Sequence, residues 1–177
     1  MKNALLVILF AACAFAQDLS VTAAESACGP RNIHFDITTN RRNDQHSLLQ
    51  PEPGKALVYV VEDQKFLVIK DATTRVGVDG AWVGANRGNS YLSFSAEPGE
   101  HHLCTDWISG FLPNGRLVSL TSFIAEPGKV YYFRARTSAS PTSGKAGDGA
   151  SVDLDLVNSD EGKLLVASSR PSVSHPK

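Results

Sequence analysis

The sequence has no excess of charge of either sign. Lys and Arg number 17 against 18 Asp and Glu in 177 residues, the formal net charge is -1, and no basic run exceeds the pair Arg41-Arg42. Binding nucleic acid through its phosphates needs a concentrated basic surface, so this balance sets nucleic acid aside as a partner. No apolar run approaches the ~20 residues of a membrane-crossing helix. No segment longer than about ten residues holds a 3.6-residue apolar period, so helices are minor at best. The G-x-S-x-G elbow of the α/β hydrolases is missing too. Ser140 to Ala146, SPTSGKA, resembles the end of a phosphate-binding loop but lacks the first glycine, and Ala146 stands where Ser or Thr would hold magnesium. With 42% hydrophobic and 20% charged residues, what remains is an ordinary globular chain of one domain.

What is present begins with MKNALLVILFAACAFAQ: a lysine, an apolar run from Ala4 to Phe15, and the small-x-small site Ala14-Phe15-Ala16. This anatomy predicts a signal peptide over residues 1–16 and export to the periplasm or beyond. Acylation at Cys13, as in a bacterial lipoprotein, is the alternative, although Phe10 is bulkier than that signal wants. Loss of Cys13 leaves Cys28 and Cys104, which in an oxidising compartment are expected to bond, the competing reading being two buried thiols. The loop so closed would constrain the unfolded chain by roughly 4 kcal/mol.

Short apolar segments follow with turn residues between them. Ile33 to Thr38 alternates as a half-buried strand does, and Ala56 to Val61, ALVYVV, is apolar on both faces and belongs inside a sheet. Glu52-Pro53-Gly54-Lys55, Glu97-Pro98-Gly99-Glu100 and Glu126-Pro127-Gly128-Lys129 each precede a strand, and Pro-Gly suits the centre of a type II turn. Asp79-Gly80, between Arg75-Val78 and Ala81-Val83, is the signal of a type I′ hairpin. Ser90 to Ala96 places Leu92, Phe94 and Ala96 on the core face. Val118 to Ala125 and Val130 to Arg136 read as a further hairpin, and Val152 to Val157 as a strand. Asn158, with Glu161 three positions on, caps a short helix to about Ser168, although Gly162 weakens it and a strand through Leu164-Val166 competes.

Many short strands and no long helix predict an all-β, antiparallel two-sheet sandwich, with a small barrel as runner-up. The expected organisation is an N-terminal extension with one strand over 17–50, a sandwich over 51–168 with a mobile loop at 138–149, and a tail over 169–177.

Candidate chemistry is thin. His101 and His102, with Cys104, Asp106 or Asp79, invite a zinc site, but adjacent strand residues point to opposite faces and Cys104 would forgo its disulfide. No metal and no cofactor are therefore predicted. Asp153, Asp155, Asp160 and Glu161 lack calcium-loop spacing and read as solvent-facing carboxylates. Trp82 and Trp107, with Tyr91 and Tyr132, would line a sugar or peptide face if exposed. Core packing is the preferred reading. Arg134 and Arg136 share one strand face and offer a charged surface.

Ala56-Val60, Val78-Asp79-Gly80, Pro98-His101 and Gly128-Arg134, in that order, resemble a family of exported bacterial domains of unknown function, many of them lipoproteins. Val78-Asp79-Gly80 and Pro98-His101 are also similar to small surface-layer β-domains with a P-E-G-A motif. The resemblance runs from about Pro53 to Val166 and implies a prealbumin-like or PEGA-like sandwich. It implies no catalytic residue. Cys28, Cys104 and the poor lipoprotein signal depart from it, which counts against lipid anchoring. The expectation is an exported, non-catalytic module that binds an envelope protein or glycan through Trp82, His101, His102, Trp107, Arg134 or Arg136. The alternative is a metal-dependent or hydrolytic enzyme centred on His101/His102.

Overall fold

A computed structural model describes residues 27–39, 48–64, 72–108, 116–139 and 150–177. Residues 1–16, read as a signal peptide with Cys13 in it, residues 40–46, read as a loop, and residues 140–149 of the expected mobile loop lie outside the described residues.

Among the described residues, ten strands form two sheets, as an all-β sandwich. They are β1 (Phe35–Thr39), β2 (Ala56–Glu62), β3 (Thr73–Val78), β4 (Ala81–Asn86), β5 (Ser90–Ala96), β6 (Gly99–Ile108), β7 (Arg116–Ala125), β8 (Val130–Ala139), β9 (Ala150–Val157) and β10 (Arg170–Pro176), with one helix, α1 (Ser159–Ser168), between the last two. The six-stranded sheet has the order β1-β10-β5-β2-β8-β9 and the four-stranded sheet β4-β3-β6-β7. Six of the eight ladders are antiparallel, while β2 with β8 and β10 with β5 are parallel.

The parallel pair has a visible origin. Both β2 and β8 start behind a Glu-Pro-Gly-Lys turn, and the two turns are stitched together by Leu57 N–H to Lys129 O (2.9 Å) and Gly128 N–H to Lys55 O (2.9 Å). Two copies of one entry motif thus enter the sheet side by side. The strands read as a hairpin, β7 and β8, lie in different sheets, and their turn carries the chain from one layer to the other.

Ala56, Val58 and Val60 face the inter-sheet core with Val76, Leu92, Leu103, Phe123, Phe133 and Leu154. The opposite face of β2, Leu57, Tyr59 and Val61, is covered by Leu165 and Val166 of α1, together with Tyr132. That explains why the run is apolar on both faces. The helix forms as the sequence predicts: Asn158 Oδ1 accepts the N–H groups of Asp160 and Glu161 at 3.1 and 3.0 Å. Gly162, read as a weakness, is a packing requirement, since a methyl group there would collide with Tyr132.

The segment 169–177, expected to be a tail, forms β10, which pairs along all of β1 and briefly with β5. Its alternating serines close the edge of β4: Ser172 Oγ donates to Ala85 O (2.8 Å) and Ser174 Oγ accepts from Ala85 N (2.9 Å). Prolines at 171 and 176 hide this strand from propensity, because proline removes a ladder donor and survives only at edges and strand ends.

Cys28 and Cys104 are joined as a disulfide with Cα atoms 5.3 Å apart. The tie lays residues 27–33 over the outer face of the four-stranded sheet. Beneath that arm Arg75 is buried: it donates to Arg31 O (3.0 Å), Ile33 O (2.6 Å) and the carboxylate of Asp106, and it stacks on the Trp82 ring at 4.4 Å. Strand direction then sorts the connections. The Glu-Pro-Gly turns and Asp79-Gly80 gather at one end, the turn end, while β2, β4, β6 and β8 all finish at the other, called here the loop end.

Candidate binding site at the loop end

The residues singled out in the sequence are mostly committed to structure. His101 lies half-buried against Phe123, with Nδ1 2.6 Å from Asp79 Oδ2 and Nε2 2.7 Å from the carbonyl of Glu97. Both partners are acceptors, so both ring nitrogens must donate and neither has a lone pair for a metal. Burial opposes the charged ring, but the bonds to Asp79 and Glu97 outweigh it and hold the His101 pKa above its ordinary value. Burial likewise opposes the Asp79 carboxylate, and the His102 N–H with the His101 ring outweighs it, lowering that pKa. Asp79, at φ 51° in the hairpin turn, takes the His102 backbone N–H on its other oxygen at 2.8 Å.

His101 also explains one irregular turn. Glu52-Lys55 and Glu126-Lys129 close with backbone bonds of 3.0 and 3.2 Å, with Gly54 and Gly128 at φ 81° and 74°. At Glu97 the carbonyl goes to the imidazole instead, and Gly99 opens to φ 138°. The side chain of His102 points the other way and is exposed, so the two rings do not converge. Among the described residues no three His, Cys, Asp or Glu side chains are grouped to hold a metal.

Trp82 packs on the disulfide and donates Nε1–H to Pro30 O (2.8 Å). Trp107 is buried and cannot form an exposed aromatic platform. Arg134 is half-buried in ion pairs with Asp63 (3.1 Å) and Glu161 (2.5 Å), whereas Arg136 is exposed across from Asp153. The six candidate binding residues therefore form no common site.

A different group assembles at the loop end. Asn86, Thr74 and Trp107 are direct cross-strand neighbours on β4, β3 and β6. Facing this row from the other sheet is Glu62, the last residue of β2, fully buried, whose Oε1 accepts the Thr74 hydroxyl at 2.9 Å. Asn86 Nδ2 donates to Val60 O (3.0 Å), which fixes the amide orientation and turns its oxygen away from that bond. Among the described residues, four buried polar atoms here have no hydrogen-bond partner: Glu62 Oε2, Asn86 Oδ1, Thr105 Oγ1 and Trp107 Nε1. An orphaned buried polar group costs on the order of 1–3 kcal/mol, so four at one end make this the candidate site.

Burial pushes the Glu62 carboxyl up to about 7, against the hydrogen bonds from Thr74 and the Gly88 backbone, which pull it down. Sequence reading missed this group because Glu62 looks like the polar end of an apolar strand. The available signal was parity: Glu62 has the same phase as Ala56, Val58 and Val60, the core face.

No known family model, no curated protein and no solved structure matches this chain.

Proposed function

We propose that this protein is an exported, non-catalytic β-sandwich module that binds an envelope component at the loop end of the sandwich. The observation that carries the reading is the set of four unpartnered buried polar atoms on Glu62, Asn86, Thr105 and Trp107. Loops clustered at one end of a rigid sandwich are the common place for recognition, since the strands fix the geometry and the connections supply the variation. The leader-like N-terminus supports export, with cleavage after Ala16 preferred over acylation at Cys13. The ordered resemblance from Pro53 to Val166 supports an envelope role. His101, bonded through both ring nitrogens, serves as a turn lock instead of a general base or ligand.

A glycan or a peptide bearing both donors and acceptors matches the orphaned set, which offers three oxygen acceptors and one indole donor. A partner protein has a second surface open to it. Val118, Leu120 and Ile124 stand exposed in a row on β7, the last strand of its sheet, with Ile124 68% accessible.

The test uses the two tryptophans as paired reporters. Uniformly 15N-labelled protein is titrated with solubilised peptidoglycan fragments and, separately, with envelope protein extract. Binding at the loop end moves the Trp107 indole signal and the Thr74, Asn86 and Gly88 amides and leaves the Trp82 indole in place. The probe is recovered with unchanged mass. Shifts confined to the Trp82 arm or to β7 would move the site elsewhere, and a chemically altered probe would make the protein an enzyme.

A further inference from the structure

We propose that β7 is a docking edge for a second copy of this chain, the two β7 strands pairing antiparallel about Thr121 so that the four-stranded sheets of both copies become continuous. The pairing needs no ligand at the loop end, so it stands or falls separately from the binding site proposed there.

The edge strands of the two sheets are β1, β9, β4 and β7, and the first three carry devices that keep edges from pairing. β1 is 5 residues long, with Asp36 ion-paired to Lys177. β9 sets exposed carboxylates at Asp153 and Asp155. On β4 the Ala85 N–H and carbonyl are taken by Ser174 and Ser172. β7 is 10 residues long in unbroken register with β6, with no proline and no charge from Leu117 to Ala125. Among the described residues it pairs with β6 alone.

Which main-chain groups of β7 face away from β6 follows from His102. Its carbonyl accepts the Asp79 N–H at 3.0 Å and its N–H donates to Asp79 Oδ1 at 2.8 Å, so both groups point away from β7. Opposed residues in an antiparallel ladder alternate between bonded and unbonded pairs, and Ser122, opposite His102, therefore directs its own N–H and carbonyl to the outer side. Val118, Leu120 and Ile124 share that phase. The Ile124 carbonyl accepts the Tyr131 hydroxyl at 2.7 Å, as a group left over from the ladder does. The side chains of the same residues, Val118, Leu120, Ser122 and Ile124, are exposed.

A twofold interface must be self-complementary, residue i meeting j while j meets i. Turned about Thr121, β7 satisfies that condition: Leu120 falls opposite Ser122 and Val118 opposite Ile124, each pair in the phase whose main-chain groups point outward. The ends match as well. Arg116 opens the strand and Glu126 follows it, so antiparallel pairing sets unlike charges opposite each other at both ends. Parallel pairing in register would set like beside like, which is destabilising. An uncharged, largely apolar centre between opposite charges makes this strand its own fitting partner.

The deciding measurement is sedimentation of the purified protein over a concentration series, with amide exchange followed by NMR on the same samples. The expected result is a dimer that dissociates on dilution. In the dimer the Leu120 and Ser122 amides should exchange about tenfold more slowly than in the monomer, while the Ser119 and Thr121 amides, which bond to β6, are equally protected in both. Leu120→Lys puts a charge at the centre of the edge and should raise the dissociation constant about tenfold or more with the fold intact. Ser122→Pro removes an outward N–H and no ladder bond, so it should give a folded monomer. Should the proline variant fail to fold, Leu120→Lys decides alone. A protein that stays monomeric up to roughly 1 mM overturns the proposal. A dimer whose Leu120 and Ser122 amides exchange as in the monomer, or that Leu120→Lys leaves intact, overturns it too. So does a monomer whose β7 amides become protected only when envelope protein extract is added, which would give this edge to a different protein.

Discussion

Asp79 and Glu62 sit at opposite ends of the same sandwich and in opposite electrostatic states. Asp79 is partly exposed, has both oxygens bonded, and is held ionised by a charged imidazole and a backbone N–H. Glu62 is wholly enclosed, has one oxygen bonded and one bare, and is pushed toward its neutral form by burial. The rest of each end follows suit. Around Asp79, Lys55 bridges Glu52 and Glu97 at 3.5 and 3.0 Å, Ser95 donates to Glu52 at 2.8 Å, and Tyr131 donates to Ile124 O at 2.7 Å. Around Glu62 the polar side chains outnumber their partners. Among the described residues one end has its polar groups paired, and the other holds unspent hydrogen-bonding capacity, the contrast on which the proposed binding site rests.

The largest effect that would break this contrast is at Glu62. A carboxyl whose folded pKa is raised from 4.5 to about 7 binds its proton more tightly in the native state. Stability from this group is therefore greatest below pH 4.5, falls as pH rises to about 7, and is level above, a loss on the order of 3 kcal/mol. Glu62→Gln mimics the protonated form and should remove that slope. Urea unfolding from pH 4.5 to 8 should show the variant matching the parent at the acidic limit and exceeding it at pH 8. Parallel curves for the two proteins would mean that Glu62 is solvated and that the two ends do not differ as argued.

How much of this was legible in the sequence depends on whether the decisive contact was local. Asp79-Gly80 announced its hairpin because the positive φ at both positions is set by two adjacent residues. The Asn158 cap and the two-faced burial of Ala56 to Val61 are local patterns in the same sense. The pairing of Cys28 with Cys104 was legible because, once residues 1–16 are read as a signal peptide, two cysteines remain, and an oxidising compartment favours their bond over two buried thiols. What stayed hidden were relations across the fold: the parallel stacking of β2 on β8, the recruitment of residues 170–176 as β10, the burial of Arg75 beneath the arm, and the row Asn86-Thr74-Trp107 opposite Glu62. None of these residues differs in type from surface residues elsewhere in the chain. Their meaning comes from register, which a single sequence does not display.

The second effect concerns the turn end. Asp79→Ala removes two charge-assisted bonds and leaves a residue with a Cβ in the left-handed region, a combined loss of about 2 kcal/mol. The lock also carries a pH signature. The raised His101 pKa gives stability that is complete below the ring's ordinary 6.5 and lost as pH rises through the folded value. The lowered Asp79 pKa gives stability present above 3.8 and lost as pH falls through the folded value. The lock is thus strongest in mildly acidic solution. Thermal melts of Asp79→Ala against the parent should differ most near pH 5 to 6, and the gap should narrow above the His101 transition to the part due to the His102 N–H bond and the backbone. A difference that stayed constant with pH would assign the loss to backbone strain alone.

The smallest effect separates the ends through their tryptophans. Trp82 uses its indole N–H on Pro30 O, so Trp82→Phe should lose that bond and part of the stacking on Arg75, about 1 kcal/mol. Trp107 has no partner for its N–H, so Trp107→Phe removes an orphan donor as well as volume, and the two effects offset. The expected order in urea is a clear destabilisation for Trp82→Phe and a smaller one for Trp107→Phe, even though Trp107 is the more deeply buried ring. If burial alone governed the cost the order would reverse, because the larger apolar loss belongs to Trp107. A reversed order would therefore mean that removing the indole N–H at the loop end does not offset the lost packing, and the contrast between the two indoles would fall.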